Sequence, residues 1–217
     1  MIKYQKIITP FERDTTGTKK LIYDKYINQT VEYLKDCIWE CTEKIDGTNI
    51  GIVWDGYSVS FQSRTENTGI PYYLQNTLHN IFGGDVNEQL FEQKFGSMKV
   101  ILFGEGYGYK IQKRGRHYIP NDHSFILFDV YIPEKDLWMK RESIEDIAQT
   151  FNVKAVPIVM HCTLEQAIDF IKIKPKSLLG DTVMEGLVCK PLVELRDRMN
   201  ERIVVKVKVK DFTDYKE

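Results

Sequence analysis

The chain has 217 residues, with 30 Lys and Arg against 31 Asp and Glu and a net charge of -1. That length suits one large domain or two very small ones, with enough chain to bury a substantial core. The charge balance excludes a broadly basic nucleic-acid binder but leaves room for a local basic groove, because phosphates respond to local charge. No apolar run approaches the roughly 18–20 residues of a membrane span, and no long apolar stretch follows the N-terminal lysines as in a signal peptide. Cys37, Cys41, Cys162 and Cys189 are too few for a disulfide scaffold and lack the paired spacing of a structural zinc site. Free buried thiols in a reducing cytosol fit them better, so the expected compartment is cytoplasmic.

In chain order, apolar residues at helical spacing predict a helix from Asn28 to Cys37. Strand-like runs follow at Ile38–Lys44, Thr48–Trp54 and Tyr57–Gln62, with Asp55-Gly56 as a hairpin turn. Pro71–Phe82 and Val86–Phe95 read as amphipathic helices around Gly83-Gly84-Asp85. Met98–Phe103 and Ser124–Tyr131 are apolar runs of strand type. Glu142–Thr150 and Leu164–Ile171 read as helices, the second with Thr163 as N-cap. Thr182–Lys190 and Arg202–Val209 read as strands. The interleaving, with hairpins, predicts an α+β fold with mainly antiparallel sheets flanked by helices.

Four charged segments lie at the edges of these strands. Glu43-Lys44-Ile45-Asp46-Gly47-Thr48-Asn49 sets a lysine and a turn between two strands. Gly104-Glu105-Gly106 follows an apolar strand, where flanking glycines let a carboxylate approach a ligand. Glu185-Gly186-Leu187-Val188 puts an acid at the entrance of an apolar strand. Val205-Lys206-Val207-Lys208-Val209-Lys210 has period two, which places its three lysines on one strand face. Taken singly, these are a β-turn, a glycine turn, an edge acid and a solvated strand face.

Their order is more specific. Together with Phe11-Glu12-Arg13-Asp14, Ser63-Arg64-Thr65, Phe128-Asp129-Val130 and Asp211-Phe212, they resemble the covalent nucleotidyltransferase superfamily, and within it ATP-dependent RNA ligases of the bacteriophage type. The resemblance runs from about residue 7 to residue 212. It implies the nucleotidyltransferase fold (an ATP-grasp-like ligase catalytic core) and Lys44 as the nucleophile that captures AMP. It implies catalytic roles for Glu105, Asp129, Glu185, Lys206 and Lys208. ATP contacts are implied for Glu43, Lys44, Ile45, Asn49, Arg64, Glu105, Phe128, Glu185, Lys206 and Lys208. Phe128 would stack on the adenine, and Thr65 would lie beside Arg64 against the nucleotide. Mg²⁺, or Mn²⁺, would be held by Glu105 and Glu185, since it favours carboxylates, phosphates and water.

Elementary electrostatics agrees with these roles. Only a neutral amine attacks phosphorus, and a free lysine titrates near ~10.4. A second ammonium at ~4 Å costs about 4 kcal/mol at an effective dielectric near 20, roughly three pKa units. Lys206 and Lys208 are the expected source of that repulsion, and of charge for the transferring phosphate.

The stretch after Glu105 interleaves cations and aromatics: Tyr107, Tyr109, Lys110, Lys113, Arg114, Arg116, His117 and Tyr118. Such a mixture suits single strands or strand ends. Lys110, Lys113, Arg114 and Arg116, with Asn49 by resemblance, are the expected RNA contacts. Lys190 and Arg196 to Arg202 form a second basic segment. The partner would be RNA with 5′-phosphate and 3′-OH ends, including nicked or DNA-splinted duplexes. The chain ends nine residues after Lys208, so one domain over residues 1–217 is expected, without the second domain many ligases carry. Two alternatives are a nucleotidyltransferase with another acceptor, as in capping or DNA-end joining, and a non-catalytic RNA-end-binding module.

Overall fold

Two apolar cores organise the chain, each beneath its own sheet. The computed structural model describes residues 1–64 and 69–213. Its elements are β1 (Phe11–Arg13), β2 (Leu21–Tyr26), α1 (Gln29–Leu34), β3 (Trp39–Lys44), β4 (Thr48–Trp54), β5 (Val59–Ser63), α2 (Tyr72–Phe82), α3 (Asp85–Phe95), β6 (Val100–Gly108), α4 (Gly115–Tyr118), β7 (His123–Ile132), β8 (Leu137–Trp138), α5 (Arg141–Thr150), β9 (Lys154–Ala155), β10 (Ile158–Cys162), α6 (Leu164–Lys172), β11 (Gly186–Pro191), β12 (Val205–Lys208) and α7 (Val209–Phe212). The architecture is α+β with mainly antiparallel sheets. Among the described residues no helix is long and apolar enough to cross a membrane. The contacts divide the chain into two compact units: Met1–Tyr4 with Asp46–Val156, and Gln5–Ile45 with Pro157–Glu217.

In the first unit a six-stranded sheet runs β5-β4-β6-β7-β8, with β9 parallel to β7. Alternation puts Ile50, Ile52 and Trp54 of β4, and Val100 and Leu102 of β6, on one face. The apolar stripes of α2, α3 and α5 cover that face through Leu74, Leu78, Phe82, Phe91, Ile144 and Ile147. The strand β6 is longer than its apolar run, continuing through Gly104-Glu105-Gly106 to Gly108. A Cβ on Gly104 would overlap the Phe125 ring and the Ile126 carbonyl. Glycine therefore serves the strand interior here, where the sequence suggested a strand end.

A bulge in β7 shifts its alternation. Phe103 of β6 pairs with Asp129 and Gly104 with Leu127, so Phe128 is the extra residue. Phe125 and Leu127 face the core before the bulge, and Val130 and Ile132 after it. Phe128 and Asp129 are thereby both left on the opposite side.

In the second unit the sheet order is β10-β3-β11-β12, with the separate hairpin β1-β2. Trp39, Cys41, Leu187, Cys189, Val205 and Val207 face a core closed by α1 and α6. Thr163 caps α6 as expected, and a reciprocal bond from the Thr163 amide to the Gln166 side chain completes a capping box. Cys41, Cys162 and Cys189 are buried together and Cys37 is exposed, so burial holds for three of the four thiols. The C-terminal lysine run also departs from expectation. β12 ends at Lys208, and Lys210 lies in α7 rather than on the shared strand face.

Candidate active site

In the second unit, three strands bring the proposed nucleophile to a carboxylate. Lys44 is the last residue of β3. It pairs across the sheet with Gly186 of β11, which pairs in turn with Lys208 of β12. A Cβ on Gly186 would overlap the Val207 carbonyl, so the middle of this row carries no side chain. Glu185, immediately before it, is 7% exposed. Lys44 Nζ and Lys208 Nζ each donate to one oxygen of Glu185, both at 2.7 Å. Lys206 lies one step along the same sheet face, opposite Val188.

Two ammonium groups thus share one carboxylate. Burial raises the Glu185 pKa, but attraction to Lys44 and Lys208 outweighs it and holds the carboxyl below the usual range. The cluster keeps excess positive charge, which suits a phosphate. Repulsion between the amines, which the sequence argument relied on, is offset here by the carboxylate between them.

Glu43 and Ile45 flank Lys44 but point elsewhere. The Glu43 carboxylate is buried and accepts bonds from the Ser177 hydroxyl and the Leu178 amide, at 2.5 and 2.8 Å. Burial pushes its pKa up, against those two bonds. Alternation sends it to the face opposite Lys44, and the Ile45 side chain is buried too. Ser177 and Leu178, which anchor Glu43, carry no recognisable motif and were not legible in the sequence.

In the first unit, the sheet face away from the helices collects the remaining candidates. Asn49 of β4 pairs directly with Glu105 of β6. The bulge adds Phe128 and Asp129. Phe128 is half-buried, and its ring meets the edge of Tyr4 at 4.9 Å between centroids. Asp129 is buried and accepts a hydrogen bond from the Tyr4 hydroxyl. No motif in the sequence marked Tyr4 as their common partner. Arg64 is exposed just past the end of β5, and Thr65 lies outside the described residues.

The basic stretch divides. Lys110, Lys113 and Arg116 are exposed. Arg114 is not a surface contact. It is 5% exposed, and its guanidinium lies 3.6 Å from the Asp46 carboxylate.

Among the described residues no group of three or more His, Cys, Asp or Glu could hold a metal by itself. Glu185 and Glu105 offer hard oxygen donors of the kind Mg²⁺ takes. Each by itself is one ligand, suited to an ion that brings phosphates and water as its others.

Comparison with known proteins bears on the family and the fold. A family model described as RNA ligase matches residues 38–208, and the chain belongs to that family. The fold resembles solved structures of Naegleria gruberi RNA ligase. A mutant with AMP and Mn aligns with a TM-score of 0.63 and 21% identity, over 82% of this chain and 52% of that one. A mutant with ATP and Mn aligns at 0.61 and 22%, over 82% and 52%. An apo mutant aligns at 0.62 and 20%, over 95% and 61%. The chain thus spans between half and two thirds of the length of these relatives. No curated protein matches it in sequence.

Proposed function

We propose that the chain is an ATP-dependent RNA ligase acting through a covalent lysyl-AMP. The observation that carries this reading is the Lys44–Glu185–Lys208 cluster, with both amines 2.7 Å from one buried carboxylate. Lys44 Nζ, once it has lost its proton, attacks the α-phosphate of ATP. An N–P bond forms as the P–O bond to pyrophosphate breaks. Lys208 and Lys206 hold the phosphates and stabilise charge on the transferring group. Bound Mg²⁺ would supply positive charge to the phosphates and to Glu185, whose own charge favours the protonated form of Lys44. Glu105 takes the ribose, Phe128 the adenine, Arg64 the ribose or a phosphate, and Asp129 supports the lysine chemistry.

AMP then passes to a 5′-phosphate RNA end, and a 3′-OH displaces it to seal the strand. Both steps are in-line displacements governed by positioning and charge. Asn49 positions the RNA for sealing. In this reading residues 1–217 work as one nucleotidyltransferase module in the cytoplasm. The likeness to Naegleria ligase structures with ATP or AMP and Mn supports the choice of nucleotide and divalent ion.

The test is a chase. Protein charged with labelled AMP is mixed with 5′-phosphorylated RNA carrying a 3′-OH, in single-stranded, nicked and DNA-splinted forms. The label should move to an RNA 5′ end and be released as strands join. Transfer to DNA ends alone, or charging by GTP in place of ATP, would contradict the reading.

A further inference from the structure

Burial sorts the basic segment after β6 into two sets. Ile111, Arg114, Gly115 and Tyr118 are buried, whereas Tyr109, Lys110, Lys113, Arg116 and His117 are exposed. The buried set is a frame. Ile111 joins the apolar core of its unit, and its amide donates to the Gly108 carbonyl at 3.0 Å. The Tyr118 ring meets the Tyr107 ring edge-on at 5.9 Å. Gly115 passes so close to the Gly108 carbonyl that any side chain there would overlap it. Lys110 and Gln112 sit at φ 61° and 56°, in the left-handed region. That conformation costs a non-glycine residue about 1 kcal/mol or more, and it persists only where the surroundings over-determine it.

Asp46 ties this frame to the turn that follows the nucleophile. Its carboxylate lies 3.6 Å from the Arg114 guanidinium and accepts from the Arg114 amide at 3.4 Å. Its own amide donates to the Tyr118 hydroxyl at 3.4 Å. A buried guanidinium is unfavourable without an opposing charge. Asp46 supplies that charge and lets Arg114 point inward.

We propose that the Asp46–Arg114 pair is a latch that presents Lys110, Lys113 and Arg116 as a phosphate-binding patch for the RNA strand. Arg114 is then a positioning residue and makes no phosphate contact itself. The backbone it fixes aims three exposed cations outward, with Tyr109 beside them as a stacking surface. Lys110 Nζ already lies over the Tyr109 ring, 5.1 Å from its centroid. The inference rests on the proposed function in taking RNA as the ligand.

The test is binding of a dye-labelled, 5′-phosphorylated single-stranded RNA to the full chain, followed by fluorescence anisotropy across a salt series. Asp46→Asn makes the protein more positive by one charge, so simple attraction predicts tighter binding. The latch predicts the reverse. Three lost phosphate contacts, at ~0.7 each for single strands, lower the slope of log affinity against log salt by about two. Affinity near 0.1 M salt then falls by between about ten- and a hundredfold. Arg114→Lys keeps the charge, loses the planar fork and should weaken binding in the same direction. Thermal unfolding checks that both variants fold, and Arg114→Lys decides if Asp46→Asn does not. Wild-type binding that both folded variants match or exceed overturns the latch alone. A wild-type chain that binds no RNA overturns the RNA reading and the latch's purpose with it.

Discussion

At Glu185 burial and attraction pull in opposite directions, and attraction prevails. The folded-state pKa lies below the ordinary 4.5, so the fold stabilises the ionised form. That contribution is complete above pH 4.5 and is lost as pH falls through the native value. Glu185→Gln keeps the shape but leaves two ammonium groups without their shared carboxylate. At pH 7 it should destabilise the protein by about 1–3 kcal/mol. This is below the range for fully buried pairs, because the lysine side chains remain 21% and 19% exposed. Urea unfolding at pH 7 and below pH 4 checks this: the gap to wild type should shrink in acid. A gap independent of pH would show that the carboxylate's charge is not what matters.

Among the elements, β6 and β7 show how backbone geometry sets side-chain direction. Gly104→Ala would drive a methyl group into the Phe125 ring and the Ile126 carbonyl. Neither backbone nor ring can yield cheaply, so a loss of about 2–4 kcal/mol is expected in chemical denaturation. A loss under ~0.5 kcal/mol would mean that the strand needs no glycine there. Local patterns made much of the architecture readable. Helices α2, α3, α5 and α6 follow from helix-like patterning, and β3 and β4 from strand-like runs on either side of the Lys44 turn. What eluded the sequence were features set by contacts distant along the chain. The β7 bulge shows only once Phe103 is seen opposite Asp129. The buried Arg114 guanidinium lies beside Asp46, 68 positions earlier, only in the fold. Lys210 leaves the lysine face because β12 gives way to a helix. The site followed the same division. Lys44, Glu185 and Lys208 were legible through the ordered motifs that resemble the RNA ligases, while Tyr4 and Ser177 were hidden because only the fold brings them to Asp129 and Glu43.

Across the whole molecule, the candidate site residues fall into two sets carried by different units. Lys44, Glu185, Lys206 and Lys208 belong to one, and Asn49, Glu105, Phe128 and Asp129 to the other. The chain passes from the first set to the second just after the proposed nucleophile, between Ile45 and Asp46. Everything proposed for the later steps presupposes that Lys44 first becomes covalently charged. The most direct measurement is intact-protein mass spectrometry with peptide mapping after incubation with ATP and Mg²⁺. The wild-type chain should gain one adenylyl group on the peptide holding Lys44, and Lys44→Ala should gain none. A wild-type chain that stays unmodified, or a Lys44→Ala chain that still takes up AMP, would contradict the account.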